Sequence, residues 1–446
     1  MAPCGLVFIS LYCAFNKKLS AISNCLIALA LHPWQGVSVD FAVEVERIDI
    51  GHPREIIEHG HDAVVEMRCR KLVLARHLGE EQFAVGLLRL KNGVHHEFEK
   101  GVDDAVTGQI HVKHLAAGID AAAGHVLAMA VGLQKMVGVI LSSIGAGVWE
   151  VLWDGNLINL APKREMYPED TQFNGKTLAR TAGRIPCDIT INGKNYHLKE
   201  QQQGFCIHGG KMTSMSFKIF DYSIINANGK TLVEFTLTDK DGENGYPGNL
   251  ETKITYEFID GKNQFTIRYH ATTDKDTVVS FSNHLYWDIN GIQNISNDSL
   301  YINASKWGTN DGKSQLVTGI DNVPECMDFK SMSVLGPKLD VIEKTIWEKT
   351  IDHLFVFDKV QEDKPQVIYK GGKVKLSLFT DFEAINIYAD ASCSKYEFEN
   401  AEGLILHNRR ALALEPQQIA LGLSHITLKA SDSVDHYETY LIEDND

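Results

Sequence analysis

From about residue 137 onward, apolar and polar side chains alternate over short runs separated by turn residues. Asp188 to Leu198 is interrupted by Asn192-Gly193, and Ser216 to Ile225 and Thr231 to Thr238 flank Asn226 to Lys230. Lys253 to Ile259 and Gln264 to Thr272 flank Asp260-Gly261-Lys262-Asn263. A period of two turns one face of each run toward a core, and the intervening residues accept positive φ, so each pair is expected to form a hairpin. Ile140 to Val151, Lys373 to Phe379, Ala384 to Tyr388, Ala411 to Leu414 and His436 to Ile442 read as further strands. The best helical stretch, Leu339 to Trp347, is short. Many short strands with few helices predict a mainly β chain, folded as one large antiparallel β-sandwich over 137–446.

Residues 1–130 follow a different pattern. They hold ten of the 18 histidines but only one tyrosine, Tyr12, and one tryptophan, Trp34. Clear periods are rare, so this block is expected to be an irregular N-terminal extension to which no function is assigned. Ala116 to Leu133 is alanine-rich enough for a helix, although Gly118, Gly124 and Gly132 weaken it. His59, His61, His95 and His96 do not match the spacing of a metal site, and no metal is expected. Two apolar runs, Cys4 to Phe15 and Leu19 to Leu31, are separated by Lys17-Lys18. A signal peptide carries its charge ahead of the apolar core, and neither run reaches the ~20 residues of a spanning helix. A cytoplasmic protein without a membrane segment is therefore expected.

The 446 residues carry a net charge of -15, which argues against a nucleic-acid partner, since that would require a basic stripe. The eight cysteines are scattered with no CxxC pair, as expected of free thiols in a reducing compartment.

Candidate chemistry clusters at strand ends. Val278 to Gly291 reads VVSFSNHLYWDING, and alternation places Ser282, His284, Tyr286 and Asp288 on one face and Trp287 on the other. An imidazole, a phenol and a carboxylate in a row are costly to bury without partners or a ligand. A mid-strand histidine alone is more often structural than catalytic. Thr177 to Ile185 holds Arg180 and Arg184, and Phe205 to Gly210 places His208 before a glycine pair that permits close backbone approach to a ligand. Ile351 to Phe355 contains the pair Asp352-His353. Ala411 to Gln417 reads ALALEPQ, an apolar strand closing on Glu415, with Pro416 expected to stop the ladder. Such a glutamate is either a capped edge or a carboxylate of raised pKa in a pocket.

Taken together, IGAGVWEVL, GRI with its upstream arginine, IHGG, GENGYPGNL at 242–250, SNHLYWDING, VTGIDNVPECMDF at 317–329, IDHLFVF and LALEPQ resemble, in order and spacing, the aldose 1-epimerase (galactose mutarotase) family. The resemblance runs from about Val137 to the C-terminus. It implies a β-sandwich with an open sugar cleft, and interconversion of the α and β anomers of free aldoses such as galactose and glucose. No cofactor and no metal are implied. By resemblance Glu415 is the catalytic base, ionised in the reactive state, and His284 the protonated acid. Arg184, His208 and Asp352 match the sugar contacts.

The chain departs from the family's usual pattern at Gly183, where asparagine is common, and at Trp287 and Asp288. Where members carry a further strand or two before IGAG, this chain has Gln134 and the unrelated block before it, so an initial strand is expected to be missing. Two other readings share the fold. A non-catalytic sugar-binding protein would keep Asp352 and His208 without needing both proton-transfer groups. A hexose-6-phosphate mutarotase would need additional cations, and only Arg180 is available beyond the family set. The preferred sugar and the oligomeric state are not specified by the sequence.

Overall fold

The computed structural model describes residues 137–445 apart from 165, 201–203, 311–315, 346–349 and 390–408, and before them only the backbone of short strands. His59, His61, His95 and His96, most of the two apolar N-terminal runs, and Ile346 and Trp347 lie outside the described residues. The chain divides into two compact units, Met1–Ile119 and Asp120–Asp446. In the first, five strands from Ile9–Leu11 to Gln82–Val85 form one sheet in sequence order.

The second unit is built on two large antiparallel sheets. Nine strands lie in the order Asp221–Ala227, Lys230–Asp239, Leu250–Ile259, Gln264–Thr273, Ser433–Asp444, Val374–Thr380, Val367–Gly371, Ser299–Ile302 and Ser333–Val334. Six lie in the order Tyr286–Trp287, Leu412–Gln417, Ala384–Ala389, Asp352–Phe357, Ala304–Asn310 and Val317–Asn322. The expected hairpins form, each with turn residues in the left-handed region, such as Asn192 (φ 51) with Gly193 (φ 75). The α-helix Leu335–Thr345 begins four residues before the expected stretch.

Trp287 joins the two sheets. It lies on the six-stranded sheet, fully buried, with its ring 4.9 Å from Tyr440 and 6.5 Å from Phe265 of the nine-stranded sheet. This is the core position that alternation assigned to it. An aromatic side chain buried to this degree is worth about 3–5 kcal/mol.

Several expectations need correction. Ala116 to Leu133 contains the strands Ala117–Asp120 and His125–Val131 rather than a helix. His125–Val131 pairs along its whole length with Met136–Ser142, which pairs in turn with Gly147–Trp153. The place of the missing initial strand is therefore filled. The cross-strand ladder outweighs the helix propensity of alanine where glycines interrupt a turn. Ile140 to Val151 is likewise a hairpin corner, bent at Gly145 (φ 68) and Ala146 (φ 42). The strand that carries Glu415 continues through Pro416 to Gln417, beyond the reach of its short neighbour Tyr286–Trp287 on the outer side.

Candidate active site

The site is assembled from the ends of four structural segments. Glu415 lies in Leu412–Gln417, directly opposite Asn386 of Ala384–Ala389. Asp352 opens Asp352–Phe357, opposite Tyr388. Arg184 and His208 arrive together, because Arg184–Pro186 pairs antiparallel with Phe205–Ile207. His284 falls between two short pairings. Ser282–Asn283 pairs with Thr177–Leu178, and Tyr286–Trp287 pairs with Leu412 and Ala413. The stretch expected as one strand is thus broken at the histidine.

All five candidate residues come together. Nε2 of His284 lies 3.6 Å from Oε1 of Glu415, with their side chains 6% and 3% exposed. Nη2 of Arg184 lies 3.5 Å from Oδ2 of Asp352, and these side chains are 20% and 15% exposed. The site therefore has a buried floor, His284 with Glu415, and a more open rim, Arg184 with Asp352. The His208 ring stands edge-on to His284 at 5.5 Å between centroids.

Asn386 links floor to rim, since its Nδ2 donates to Oδ1 of Asp352 at 3.1 Å and to Oε1 of Glu415 at 3.4 Å. The sequence reading passed over it. Its only signal was a lone amide within the apolar alternation AINIYA. Phe173 was also passed over; its ring lies 4.9 Å from His208 and 6.2 Å from His284. Tyr286 and Tyr388 also face His284, at 4.8 Å and 6.4 Å between centroids.

Burial dominates the electrostatics. It lifts the Glu415 carboxyl to about 8, with Asp352 adding to the rise and the Asn386 hydrogen bond opposing it. It pushes the His284 imidazole down to about 4, partly countered by Asp352. Both shifts favour the uncharged form of their group, a carboxylic acid beside a neutral imidazole. The ionised Glu415 and protonated His284 expected of the reactive state differ from this neutral pair by one proton transfer; desolvation is the first cause of both shifts. His208 is held well below its ordinary value by burial, then by His284 and Arg184. Its Nδ1 accepts the Gly183 N–H at 3.2 Å, so the proton of the neutral ring sits on Nε2.

Other candidates lie elsewhere. Arg180 is buried, with Nε donating to Asp239 Oδ2 at 2.6 Å and its Nη atoms donating to the carbonyls of Pro247, Asp239, Lys240 and Gly248. It braces the fold and offers nothing to a phosphate. Asp288 is buried beyond the site, accepting the Gln293 N–H at 2.9 Å, and burial raises it to about 7. The glycine pair after His208 makes room for protein rather than ligand. A Cβ on Gly209 would lie 2.2 Å from the Ala179 carbonyl oxygen. Among the described residues no cluster of three His, Cys, Asp or Glu side chains forms a metal site, and no helix is long and apolar enough to cross a membrane. The described cysteines, Cys187, Cys206 and Cys326, are free thiols.

A family model described as aldose 1-epimerase matches residues 131–440. Aldose 1-epimerase of Escherichia coli is 27% identical over 231 residues, a match covering 50% of this chain and 65% of that protein. The chain thus spans less than two thirds of that relative. Maltose epimerase of Levilactobacillus brevis is 23% identical over 308 residues, covering 66% of this chain and 87% of that protein. Among solved structures, galactose 1-epimerase from Lactobacillus acidophilus superposes with a TM-score of 0.63 at 22% identity, covering 72% of this chain and 95% of that one. An aldose epimerase homologue from C. elegans gives a TM-score of 0.63 at 20% identity, covering 74% and 100%. At these identities the structural likeness establishes the fold.

Proposed function

Because the chain belongs to the aldose 1-epimerase family, we propose that residues 137–446 form a mutarotase domain acting on free hexoses such as galactose and glucose. No function is assigned to residues 1–130. The observation that carries this reading is the buried Glu415–His284 pair at 3.6 Å, facing the Arg184–Asp352 rim. Ring opening takes a proton from O1 of the hemiacetal and gives one to the ring oxygen. Both oxygens are bonded to the same carbon, so the base and the acid must be close neighbours.

Glu415, as carboxylate, removes the O1 proton. The O1–C1 bond becomes a carbonyl as the C1–O5 bond breaks, and O5 takes its electron pair and a proton from His284. Rotation about C1–C2 and the reverse steps on the other carbonyl face complete the exchange. The neutral pair and the ion pair contain the same single proton. The resting state therefore becomes the reactive one by an internal transfer, with no proton drawn from solvent. Asp352 accepts from sugar hydroxyls, and Arg184, Asn386 and the Nε2–H of His208 donate to them.

The test is the rate at which the protein equilibrates fresh α-D-galactose and α-D-glucose, followed by polarimetry beside Glu415→Gln. Loss of roughly 10²–10⁴-fold in the variant is expected, the worth of one general acid–base step. Saturable sugar binding with no rate enhancement by folded wild-type protein would replace this reading with non-catalytic sugar binding. The engagement of Arg180 by carbonyls and Asp239 weighs against a hexose-6-phosphate substrate.

A further inference from the structure

The segment from Tyr167 to Lys176 invests buried charge in the placement of one ring. Asp170 and Lys176 are both fully buried. Nζ of Lys176 donates to the carbonyls of Tyr167 at 2.7 Å and Asp170 at 2.9 Å, and lies 3.8 Å from Oδ2 of Asp170. It also sits 4.6 Å from the Tyr167 ring centroid and 4.5 Å from that of Phe217. The Asp170 carboxylate accepts the backbone N–H of Gln172 at 3.0 Å and of Asn174 at 2.7 Å. Those two amides flank Phe173, whose φ of 61 is in the left-handed region. A side chain with a Cβ costs about 1–2 kcal/mol there, so the flanking hydrogen bonds are what hold it.

The Phe173 ring is delivered onto the two histidines. It stands at 65° to His208 and lies nearly parallel to His284, at 21°. Phe217 supports it from behind at 5.3 Å. A flip of the His208 ring would lose the bond from Gly183, and a flip of His284 would turn Nε2 away from Glu415. The phenyl offers neither imidazole a hydrogen bond; it packs against both rings.

We propose that Phe173 is a positioning residue that fixes the ring orientations of both His208 and His284, and that the Asp170–Lys176 strut exists to hold it in its left-handed backbone. The proposal rests on the mutarotase reading for its effect on rate, but the ring geometry can be read without any sugar.

The experiment compares wild type with Phe173→Leu, and with Phe173→Met as a second apolar variant should the first fold poorly. It uses the full chain. On D-galactose, kcat is expected to fall on the order of ten- to a hundredfold, the scale of a small misplacement, with KM changed by no more than about twofold. Nitrogen–proton correlation spectra of the imidazoles, recorded without sugar, are expected to show His208 losing its single Nε2–H tautomer in the variants. Unchanged kcat together with unchanged imidazole spectra in a folded variant would overturn the proposal. Should wild type prove inactive on sugars, the spectra decide alone: a retained tautomer overturns the positioning role, and a lost one supports it independently of the mutarotase reading.

Discussion

At the scale of single residues, the proton shared by Glu415 and His284 sets a pH signature. Burial raises the carboxyl to about 8 and lowers the imidazole to about 4. Between these limits the pair holds one proton. Below the lower limit His284 gains a second, leaving no ionised base after internal transfer. Above the upper limit Glu415 loses its proton, leaving none to deliver to the ring oxygen. The profile of kcat/KM against pH is therefore expected to be a broad bell, flat near neutrality, with its alkaline limb near 8. The two limbs belong to the pair rather than to either residue. A profile that simply rose through pH 4 to 5 and stayed level to pH 9 would mean an ordinary exposed carboxylate base, contradicting the burial argument.

At the scale of elements, the strand Ser433–Asp444 carries a charge-bearing group into the core. Glu438 is fully buried and accepts hydrogen bonds from the hydroxyls of Tyr269 and Tyr440. Burial raises its pKa to about 8. A carboxyl whose folded pKa exceeds its unfolded one contributes stability that is complete below the unfolded value, near 4.5, and is lost as pH rises through the folded value. The wild-type unfolding free energy is expected to fall from pH 5 to pH 8. Glu438→Gln, neutral throughout, with its oxygen accepting from one phenol and its NH2 donating to the other, should flatten that fall by roughly 1 kcal/mol per pH unit. Glu415 contributes a similar slope, so part of the fall should persist. Denaturant titrations at several pH values give the comparison, and parallel curves for the two proteins would refute a protonated Glu438.

The same scale shows what the sequence could and could not convey. Hairpins with a period of two and a turn pair such as Asn192-Gly193 are local, and they form where expected. Trp287 was placed in the core from alternation alone. The break at His284 was not legible, because it depends on which partner each half of the stretch finds, Thr177–Leu178 or Leu412–Ala413. Asn386 and Phe173 were missed for a related reason. Each acquires its position through residues far away in the chain, and neither belongs to a motif that carries chemistry by itself. The sequence left Glu415 as either a capped edge or a carboxylate of raised pKa, because desolvation is a property of the packed site, not of neighbouring letters.

At the scale of the whole molecule, the N-terminal boundary has a mechanical consequence. The strand His125–Val131 pairs with Met136–Ser142 through seven residue pairs, and Val137, Val139 and Leu141 of the latter are fully buried. Removing residues 1–119 cuts the short edge strand Ala117–Asp120 but leaves this ladder whole, whereas removing residues 1–132 strips the ladder and bares Met136–Ser142 as the sheet edge. The five site residues, from Arg184 to Glu415, lie beyond both cuts. A chain starting at residue 120 is therefore expected to keep the melting temperature and mutarotase rate of the full chain's second unit. One starting at residue 133 is expected to melt several degrees lower and to self-associate through the bared edge, while its kcat/KM below the transition stays near that of the longer chain. Melting curves with light scattering on the two truncations separate these effects. Equal melting temperatures would show that the ladder adds nothing to stability. A loss of rate without a loss of melting temperature would tie the N-terminal strand to the site rather than to the fold.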